Sequence, residues 1–410
     1  MVTQAFIRDM RMTERTHIKR WSRLILFVAV LTVLCLVGFA PQARSQARRQ
    51  TSEQVFKNIQ VLKGIPVDDF MGTMGIMSAA LGFDCSECHS GAGTEKVDWA
   101  ADTPRKVMAR KMVLMMTAIN RDNFSGRQVV TCWSCHHGRD HPATTPALAT
   151  VYGPGSEEMD DVLTQIPGIP SAAEIIDKYF QAIGGAERLA GLKSYVAQGS
   201  SVGFGGFGGG GQVQIFAKFP DQRATFIKFP DAPGRGDSIR IYNGREAWLK
   251  TPLTVLDEYE QTGSELDGAR LDAQLSFPGQ IKQVLGNLRT SLPVTISDLP
   301  GPSSQTSNES VALGQNRLVN VVQGTGPRGI LTNLYFDNES GLLVRVVRYG
   351  KSPIGRAPTQ VDYADYRDAG GIKMPFRLIF AWLGGRDAIQ LSQVQTNVPI
   401  DAAKFNRPTP

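Results

Sequence analysis

One short cysteine unit, present twice, constrains this chain more than any other feature. The unit is Cys-x-x-Cys-His, formed once by Cys85, Cys88 and His89 and again by Cys132, Cys135 and His136. The 410-residue chain has only five cysteines, and the fifth, Cys35, lies in an apolar N-terminal run. Any fold for this chain must therefore present two such units, each with two thiols and an imidazole within one helical turn.

Two familiar uses of paired cysteines fit the pattern poorly. A structural zinc site takes four thiolates from two Cys-x-x-Cys halves about 15–20 residues apart, whereas 43 residues separate Cys88 from Cys132. A thioredoxin-like redox pair is single and begins a helix in an α/β context. Here the pair is duplicated in a helical stretch, and neither chemistry explains why a histidine follows both pairs.

Covalent haem attachment explains the whole unit. Two thiols on one turn each add to a haem vinyl group, and the histidine that follows brings its imidazole to the iron. The sequence therefore predicts two haem c groups. The predicted attachment residues are Cys85, Cys88, Cys132 and Cys135, and the predicted iron ligands include His89 and His136.

A methionine-bearing helix is predicted before each unit: Pro66 opens the first, which runs to Leu81, and Thr103-Pro104 opens the second. The methionines at helical spacing are Met71, Met74 and Met77 before the first unit and Met108, Met112 and Met115 before the second. Residues three and four apart share a helix face, and such stripes are often flexible core packing. A haem also accepts a second axial ligand, and methionine is a common one. We therefore expect one methionine per helix to be a ligand and the others to pack.

Two stretches resemble haem-binding segments of the photosynthetic reaction-centre cytochrome c subunit. They are PVDDFMGTMGIMSAALGFDCSECH and ARKMVLMMTAINRDNFSGRQVVTCWSCHHG, within about residues 52–145. That family repeats a methionine helix, a turn and a CxxCH helix four times. The resemblance implies that Met74 is the axial methionine of the first haem and Met112 that of the second. Met77 and Met115 are the next candidates by helix phase.

The chain departs from the family pattern in three respects, one of which is that it has no lipoprotein cysteine. It has two attachment units where the family has four. It also lacks a histidine between Asn120 and Cys132, where the family places a ligand for a haem of the other half. What the resemblance implies is a diheme electron carrier, without an implied docking site on a photosynthetic reaction centre.

The N-terminal residues have the order of an export signal. Six basic residues between Arg8 and Arg23 precede an uncharged apolar run from Leu24 to Ala40. We expect residues 1–47 to be a cleaved signal peptide or a retained membrane anchor, and the protein to be periplasmic or attached to the outer face of the cytoplasmic membrane. The formal net charge is +6, and these 47 residues carry seven basic and two acidic side chains. The rest of the chain gives no case for a nucleic-acid partner.

The remaining sequence predicts a linker and a β-rich domain. Five prolines between His141 and Ser171 indicate a linker or an ordered wrap over residues 142–170. Ser171 and Glu174 form a capping-box pattern that predicts the start of a helix. Beyond this helix, alternating segments separated by turns predict a large antiparallel sheet, interrupted by helices between Ser264 and Leu288. The predicted fold is α+β and multidomain, with a small all-α diheme domain at 51–141 and a large antiparallel β domain at 171–410.

The β domain resembles the half-barrel of periplasmic lipoprotein carriers. The resemblance is one of pattern and includes the short helix IIDKYFQAIGG and the ending DYRDAGGIKMPFRLIFAW. It implies an apolar inner face that can shelter a lipid or a quinone, and a scaffold that only positions the haem segment is the alternative. Residues 171–410 contain no histidine or cysteine, so the commonest catalytic and metal-ligand sets are missing from them.

The leading hypothesis is an exported diheme c-type cytochrome that exchanges single electrons with redox partner proteins. His89 with Met74 and His136 with Met112 are its predicted axial pairs. One alternative is a peroxidase-like enzyme in which one haem lacks its methionine. Another is a lipid- or quinone-binding protein with a redox module. The sequence favours a carrier over an enzyme without deciding between them.

Overall fold

The computed structural model describes most of the chain beyond the predicted export segment. The described residues are 50–94, 96–142, 144–145, 161–202, 210–229, 236–251, 256, 258–297 and 316–407. Contacts between Cα atoms separate Met1–Arg49 from a second compact unit, Gln50–Pro410. The predicted export segment and Cys35 lie outside the described residues. Within the described ranges, no helix combines the length and hydropathy needed to cross a bilayer.

The described residues from 50 to 142 form helices and contribute no strand to the sheet. The helices are α1 (Ser52–Val55), α2 (Val67–Leu81), α3 (Cys85–Cys88), α4 (Pro104–Asn123) and α5 (Cys132–His136). Helix α2 begins after Pro66 and ends at Gly82, whose φ of 66° is left-handed, a conformation that glycine adopts at little cost. Helix α4 begins at Thr103, whose hydroxyl accepts a hydrogen bond from the Lys106 amide. Both long helices lie where their caps predict them.

A single antiparallel sheet of 14 strands makes up most of the remaining chain, which confirms the predicted large antiparallel sheet. Its order is β6-β5-β4-β3-β2-β1-β14-β13-β12-β11-β10-β9-β7, with β8 also paired to β9. The strands are β1 (Ser194–Ser201), β2 (Gly211–Lys218), β3 (Gln222–Lys228), β4 (Ser238–Tyr242), β5 (Ala247–Lys250), β6 (Glu258–Gln261), β7 (Gly286–Thr290), β8 (Val294–Ser297), β9 (Asn316–Thr325), β10 (Leu331–Asp337), β11 (Leu343–Ser352), β12 (Gly355–Asp368), β13 (Lys373–Trp382) and β14 (Gly385–Thr396).

Four further helices accompany the sheet. They are α6 (Ala172–Ala182), α7 (Ala186–Gly191), α8 (Gly263–Leu275) and α9 (Ile281–Val284). Helix α6 starts with the predicted capping box, in which Ser171 and Glu174 satisfy each other's backbone amides. Its buried Ile176 and Tyr179 join the largest apolar core, together with Leu271 of α8 and Ile281 of α9. Helices α8 and α9 are the interposed helices that the sequence predicts.

A buried ion pair ties two central strands together. The Nε and Nη2 atoms of Arg345 on β11 donate to the Asp362 carboxylate on β12 at 2.7 and 2.9 Å. The Arg345 Nη2 atom also donates to the Ser297 carbonyl at 2.7 Å. Because the geometry is bidentate and the residues are almost fully enclosed, neither charge is left without a partner.

The second half of the predicted linker lies along the sheet. Leu163 donates its amide to the Gln323 side chain at 2.8 Å, and the Gln165 side chain exchanges hydrogen bonds with Thr290 at 2.8 and 3.0 Å. Residues 146–160 lie outside the described ranges. The described residues 161–170 are thus an ordered wrap rather than a free tether, and the predicted boundaries at 141 and 171 remain predictions.

Helix α2 joins the helical segment to the sheet. It packs on β11 and β12, and a small core unites Ile76 of α2, Val113 and Met116 of α4, and Ile354 in the β11–β12 turn. At its first turn, the buried Asp68 carboxylate accepts hydrogen bonds from the amide and hydroxyl of Thr262, where α8 begins. The helical segment and the sheet therefore belong to the same compact unit.

Candidate haem site and the adjoining cavity

The first Cys-x-x-Cys-His unit is a single capped helical turn. The Asp84 carboxylate accepts from the Ser86 amide at 2.7 Å and so starts α3. Cys85 is exposed and Cys88 is half-buried, and the Cys88 carbonyl accepts from the Thr103 hydroxyl at 3.0 Å. The turn therefore presents both thiols on a backbone that α4 holds in place.

His89 lies in an enclosed position beside this turn. Its Nδ1 atom is buried and has no hydrogen-bond partner in the described structure, and its ring lies 5.0 Å from the Trp99 ring. Burial lowers the pKa of His89, and the Lys106 ammonium lowers it further. A neutral imidazole is the form that binds a metal. An unpartnered buried ring nitrogen costs about 1–3 kcal/mol, so the site favours a bound group that would use this ring.

One cavity of about 1710 Å³ brings the first set of predicted residues together. Met74 of α2, the two thiols of α3 and His89 all line it. Met71 and Met77 line it as well, so the cavity wall by itself does not select among the three methionines. The arrangement has the parts that a covalently attached haem requires: two thiols on one turn, an imidazole after them and thioethers on a facing helix.

The second unit is also a capped helical turn. Thr131 and Ser134 form a capping box at the start of α5. The Nδ1 atom of His136 lies 3.0 Å from the Arg139 carbonyl, and because a carbonyl only accepts, Nδ1 carries the proton. In the neutral ring, a proton on Nδ1 makes Nε2 the nitrogen that can bind a metal.

Asn120 fixes the loop that leads into the second unit. Its side-chain NH₂ donates to the Val130 carbonyl at 2.6 Å, and its Oδ1 accepts from the Val129 and Val130 amides at 3.0 and 2.8 Å. All three bonds are made by a side chain that is 7% exposed. The sequence analysis assigned no role to Asn120, although an asparagine near the C-terminus of a helix and before a glycine-containing loop is a recognisable turn signal.

Each Cys-x-x-Cys-His turn packs mainly on the methionine helix of the other unit. Helix α5 contacts α2, and α3 contacts α4. The Gly138 amide donates to the Ala80 carbonyl at 2.9 Å. A Cβ atom at Gly82 would clash with the Gly138 carbonyl oxygen, so this approach depends on glycine at position 82. The two units interlock.

The structure does not show the second predicted axial pair around one cavity. Met112 is half-buried and Met115 is 48% exposed, and the cavity of the first unit includes neither of them nor His136. The pairs Met74–His89 and Met112–His136 therefore remain predictions. Of the other histidines, His137 stacks near Trp133 at the end of α5, and His141 is exposed and lies 3.1 Å from the Asp140 carboxylate.

The thiols do not have the character of a redox pair. Burial raises the pKa of the Cys88 and Cys132 thiols, whereas reactive pairs depend on a lowered pKa. Among the described residues, no group of three or more His, Cys, Asp or Glu side chains is arranged to hold a metal ion. That finding does not bear on haem, whose iron takes four of its ligands from the porphyrin. The residues present fit haem c.

The cavity also continues beyond the helical segment to the sheet. Its wall includes Tyr195 of β1, Ile227 of β3, Arg240 of β4 and Trp382 of β13. Helix α8 contributes Glu265 and Asp272 to the same wall. The first unit and the sheet therefore share one enclosed space.

Three solved structures are similar to part of this chain. A DUF1329 family protein from Desulfovibrio piger has a TM-score of 0.36 at 10% identity, covering 58% of this chain and 98% of that one. A LolA superfamily protein from Nitrosomonas europaea gives 0.33 at 16%, covering 58% and 99%. A putative outer membrane lipoprotein-sorting protein domain from Vibrio parahaemolyticus gives 0.35 at 10%, covering 57% and 95%.

The helical segment matches a cytochrome family in sequence. The photosynthetic reaction center cytochrome c subunit of Thermochromatium tepidum is 31% identical over 109 residues, which are 25% of this chain and 25% of that protein. This chain thus matches about a quarter of that relative's length. Residues 36–161 match the family described as photosynthetic reaction centre cytochrome C subunit. The resemblance inferred from the two motifs is therefore confirmed, and it covers both Cys-x-x-Cys-His units and ends before the sheet begins.

Proposed function

We propose that this protein is an exported c-type cytochrome that transfers single electrons through two covalently bound haems. The observation that carries the proposal is the shared cavity wall of Met74, Cys85, Cys88 and His89, with an unpartnered buried nitrogen on His89. The family match of residues 36–161 supports haem as the group. When bound, haem supplies a one-electron redox centre.

The protein residues have distinct parts in this proposal. Cys85 with Cys88, and Cys132 with Cys135, hold the two macrocycles through thioether bonds. His89, His136, Met74 and Met112 would bind the two irons. Methionine ligation raises the reduction potential relative to a second histidine. The packed helices exclude water, so little reorganisation accompanies a change of charge.

A haem assay and an optical titration test the proposal together. We expect two haems per chain in the pyridine haemochrome assay, and a Met–iron charge-transfer band in the oxidised protein. The control is a Cys85→Ser, Cys88→Ser variant, which should retain one haem. Fewer than two haems in the wild-type protein would contradict the proposal.

An enzyme with one open haem is the second candidate. Its support is the exposure of Met115 and Met108 on α4 at 48% and 52%, which leaves the second unit without an enclosed thioether at those positions. A haem without its methionine would bind carbon monoxide when reduced. We expect no binding at high occupancy, and stoichiometric binding to one haem would favour the peroxidase-like alternative.

The continuation of the cavity to the sheet supports a bound apolar ligand as part of the function. We propose that the sheet domain, residues 171–410, shelters a lipid or a quinone. We also propose redox partner proteins as electron donor and acceptor, and a location in the periplasm or at the outer face of the cytoplasmic membrane. Organic extraction of purified protein followed by mass spectrometry tests the ligand, and an empty cavity would contradict it.

A further inference from the structure

We propose that the sheet end of the cavity is a quinone site in which Arg240 donates a hydrogen bond to a quinone carbonyl. The inference rests on the proposed function for the redox meaning of the site, and it deepens that function by choosing between a lipid and a quinone. It concerns binding by the residues of this chain and involves no chemical step.

The size of the cavity leaves room for a second ligand beside a haem. Pockets for single ligands usually measure roughly 300–1,000 Å³, and this one is about 1710 Å³. One end is lined by Met74 and His89, and the other by strands β1 to β4 and β11 to β14. A group attached at Cys85 and Cys88 occupies the first end, so the second end accepts another molecule.

Arg240 places a charged side chain at the sheet end of the cavity. Its side chain lies on the cavity wall and is exposed to the cavity. The guanidinium carbon lies 5.5 Å from the centre of the Trp382 ring, and no described residue forms a hydrogen bond or ion pair with it. A guanidinium has five N–H donors. An arginine on a cavity wall, with donors free and an aromatic plane beside it, is arranged to receive a flat acceptor.

A second arginine nearby is also incompletely paired. Arg348 is 7% exposed and lines the cavity, and its Nη1 atom is buried without a hydrogen-bond partner. Its Nε donates to Asp272 at 3.3 Å. A Cβ atom at Gly268 would collide with this guanidinium, so α8 packs directly over Arg348. An unmet donor in an enclosed place favours a ligand that accepts hydrogen bonds.

The charges around these arginines argue against an anionic head group. Asp387 and Asp272 interact electrostatically with Arg240, and Asp272 and Glu265 with Arg348. Three carboxylates thus interact with these two arginines, while Arg223 and Lys373 also line the cavity. A fatty-acid carboxylate or a lipid phosphate that approached Arg240 or Arg348 would meet these three carboxylates. A neutral molecule with carbonyl acceptors, an aromatic ring and an apolar tail meets every requirement.

The test compares two variants in the full-length protein with its haems. Arg240→Leu removes the proposed donor and keeps an apolar side chain. Arg245→Leu is the matched control, because Arg245 lies in the turn after β4, is 70% exposed and pairs only with Glu246 at the surface. The probe is decylubiquinone, and binding is measured by equilibrium dialysis, which reports occupancy independently of electron transfer.

We expect one decylubiquinone per chain and binding at least tenfold weaker in Arg240→Leu, which corresponds to about 1.4 kcal/mol. Arg245→Leu should bind as the wild type does. Unchanged binding in Arg240→Leu, or no binding to the wild type, would overturn the proposal. If Arg240→Leu does not fold, competition with the wild-type protein decides, because palmitate should displace the quinone at least tenfold less effectively than 1,4-naphthoquinone does. Stronger displacement by palmitate identifies a lipid-anion site and refutes the quinone.

The haem content of the same samples separates the two proposals. Two haems without quinone binding would refute this inference and leave the electron carrier intact. Quinone binding without haem would refute the electron carrier and leave the binding site intact.

Discussion

The position of Asp69 in the fold disfavours the charged form of its carboxyl group. Asp69 lies in the first turn of α2, beside Gly263 where α8 begins. Burial and, to a smaller extent, the neighbouring Asp68 and Glu265 carboxylates together raise its pKa to about 7. We expect the Asp69→Asn variant, which mimics the protonated carboxyl, to be more stable than the wild type at pH 8.

The sign and size of the effect follow from proton linkage. Because the folded protein holds this proton more tightly than the unfolded chain, the stabilisation is full below about pH 4 and is lost as the pH rises through 7. A shift from 3.8 to about 7 corresponds to an upper limit of about 4 kcal/mol. The Asp69 side chain is only half-buried, so solvent screening reduces this to about 1–2 kcal/mol.

Urea unfolding at a series of pH values measures the effect. The unfolding free energies of the wild type and Asp69→Asn should agree near pH 4 and diverge by about 1–2 kcal/mol by pH 8, with the variant the more stable. Glu260→Gln, at an exposed position on β6, is the control and should change little at either pH. A variant that is less stable at pH 8, or a difference that does not depend on pH, would refute the reasoning.

Three further predictions concern single side chains. Asn120→Ala removes three hydrogen bonds to the loop before the second unit. It should lower the free energy of unfolding by about 2–4 kcal/mol and the haem content to about one per chain. The control, Asn123→Ala on the exposed side of α4, should change neither. Met74→Leu should abolish one charge-transfer band and lower the potential of one haem, with Met71→Leu retaining both bands. Asp362→Leu removes the carboxylate partner of the buried Arg345 and should cost about 3–5 kcal/mol in urea unfolding. A loss below about 1 kcal/mol would contradict the importance of the buried pair.

The sequence predicted the strands and the helix starts, which depend on residues close together in the chain. Alternating segments predicted the sheet, Ser171 with Glu174 predicted the start of α6, and Thr103-Pro104 predicted the start of α4, because turn chemistry and caps act over a few residues. The two cysteine units also appear as single capped turns. These features need no knowledge of what lies across the fold.

The features that the sequence did not predict depend on contacts between distant residues. Nothing near Asp68 in the sequence indicates that its carboxylate pairs with Thr262, 194 residues away. In the sequence, Arg240 has the pattern of a solvent-facing residue on a strand. The fold instead places it on the wall of the cavity. The packing of each cysteine turn on the methionine helix of the other unit is likewise a tertiary contact. The local sequence does not indicate whether a turn packs on the helix of its own unit or on that of the other unit.

The interlock at Gly82 and Gly138 has a consequence for biogenesis. Because each cysteine turn packs on the methionine helix of the other unit, neither turn has all of its packing contacts until both units have folded. A chain that contains only the first unit therefore presents Cys85 and Cys88 without the second methionine helix against which their turn packs. Addition of the second unit completes the packing of both turns together, while Cys85 and Cys135 stay exposed.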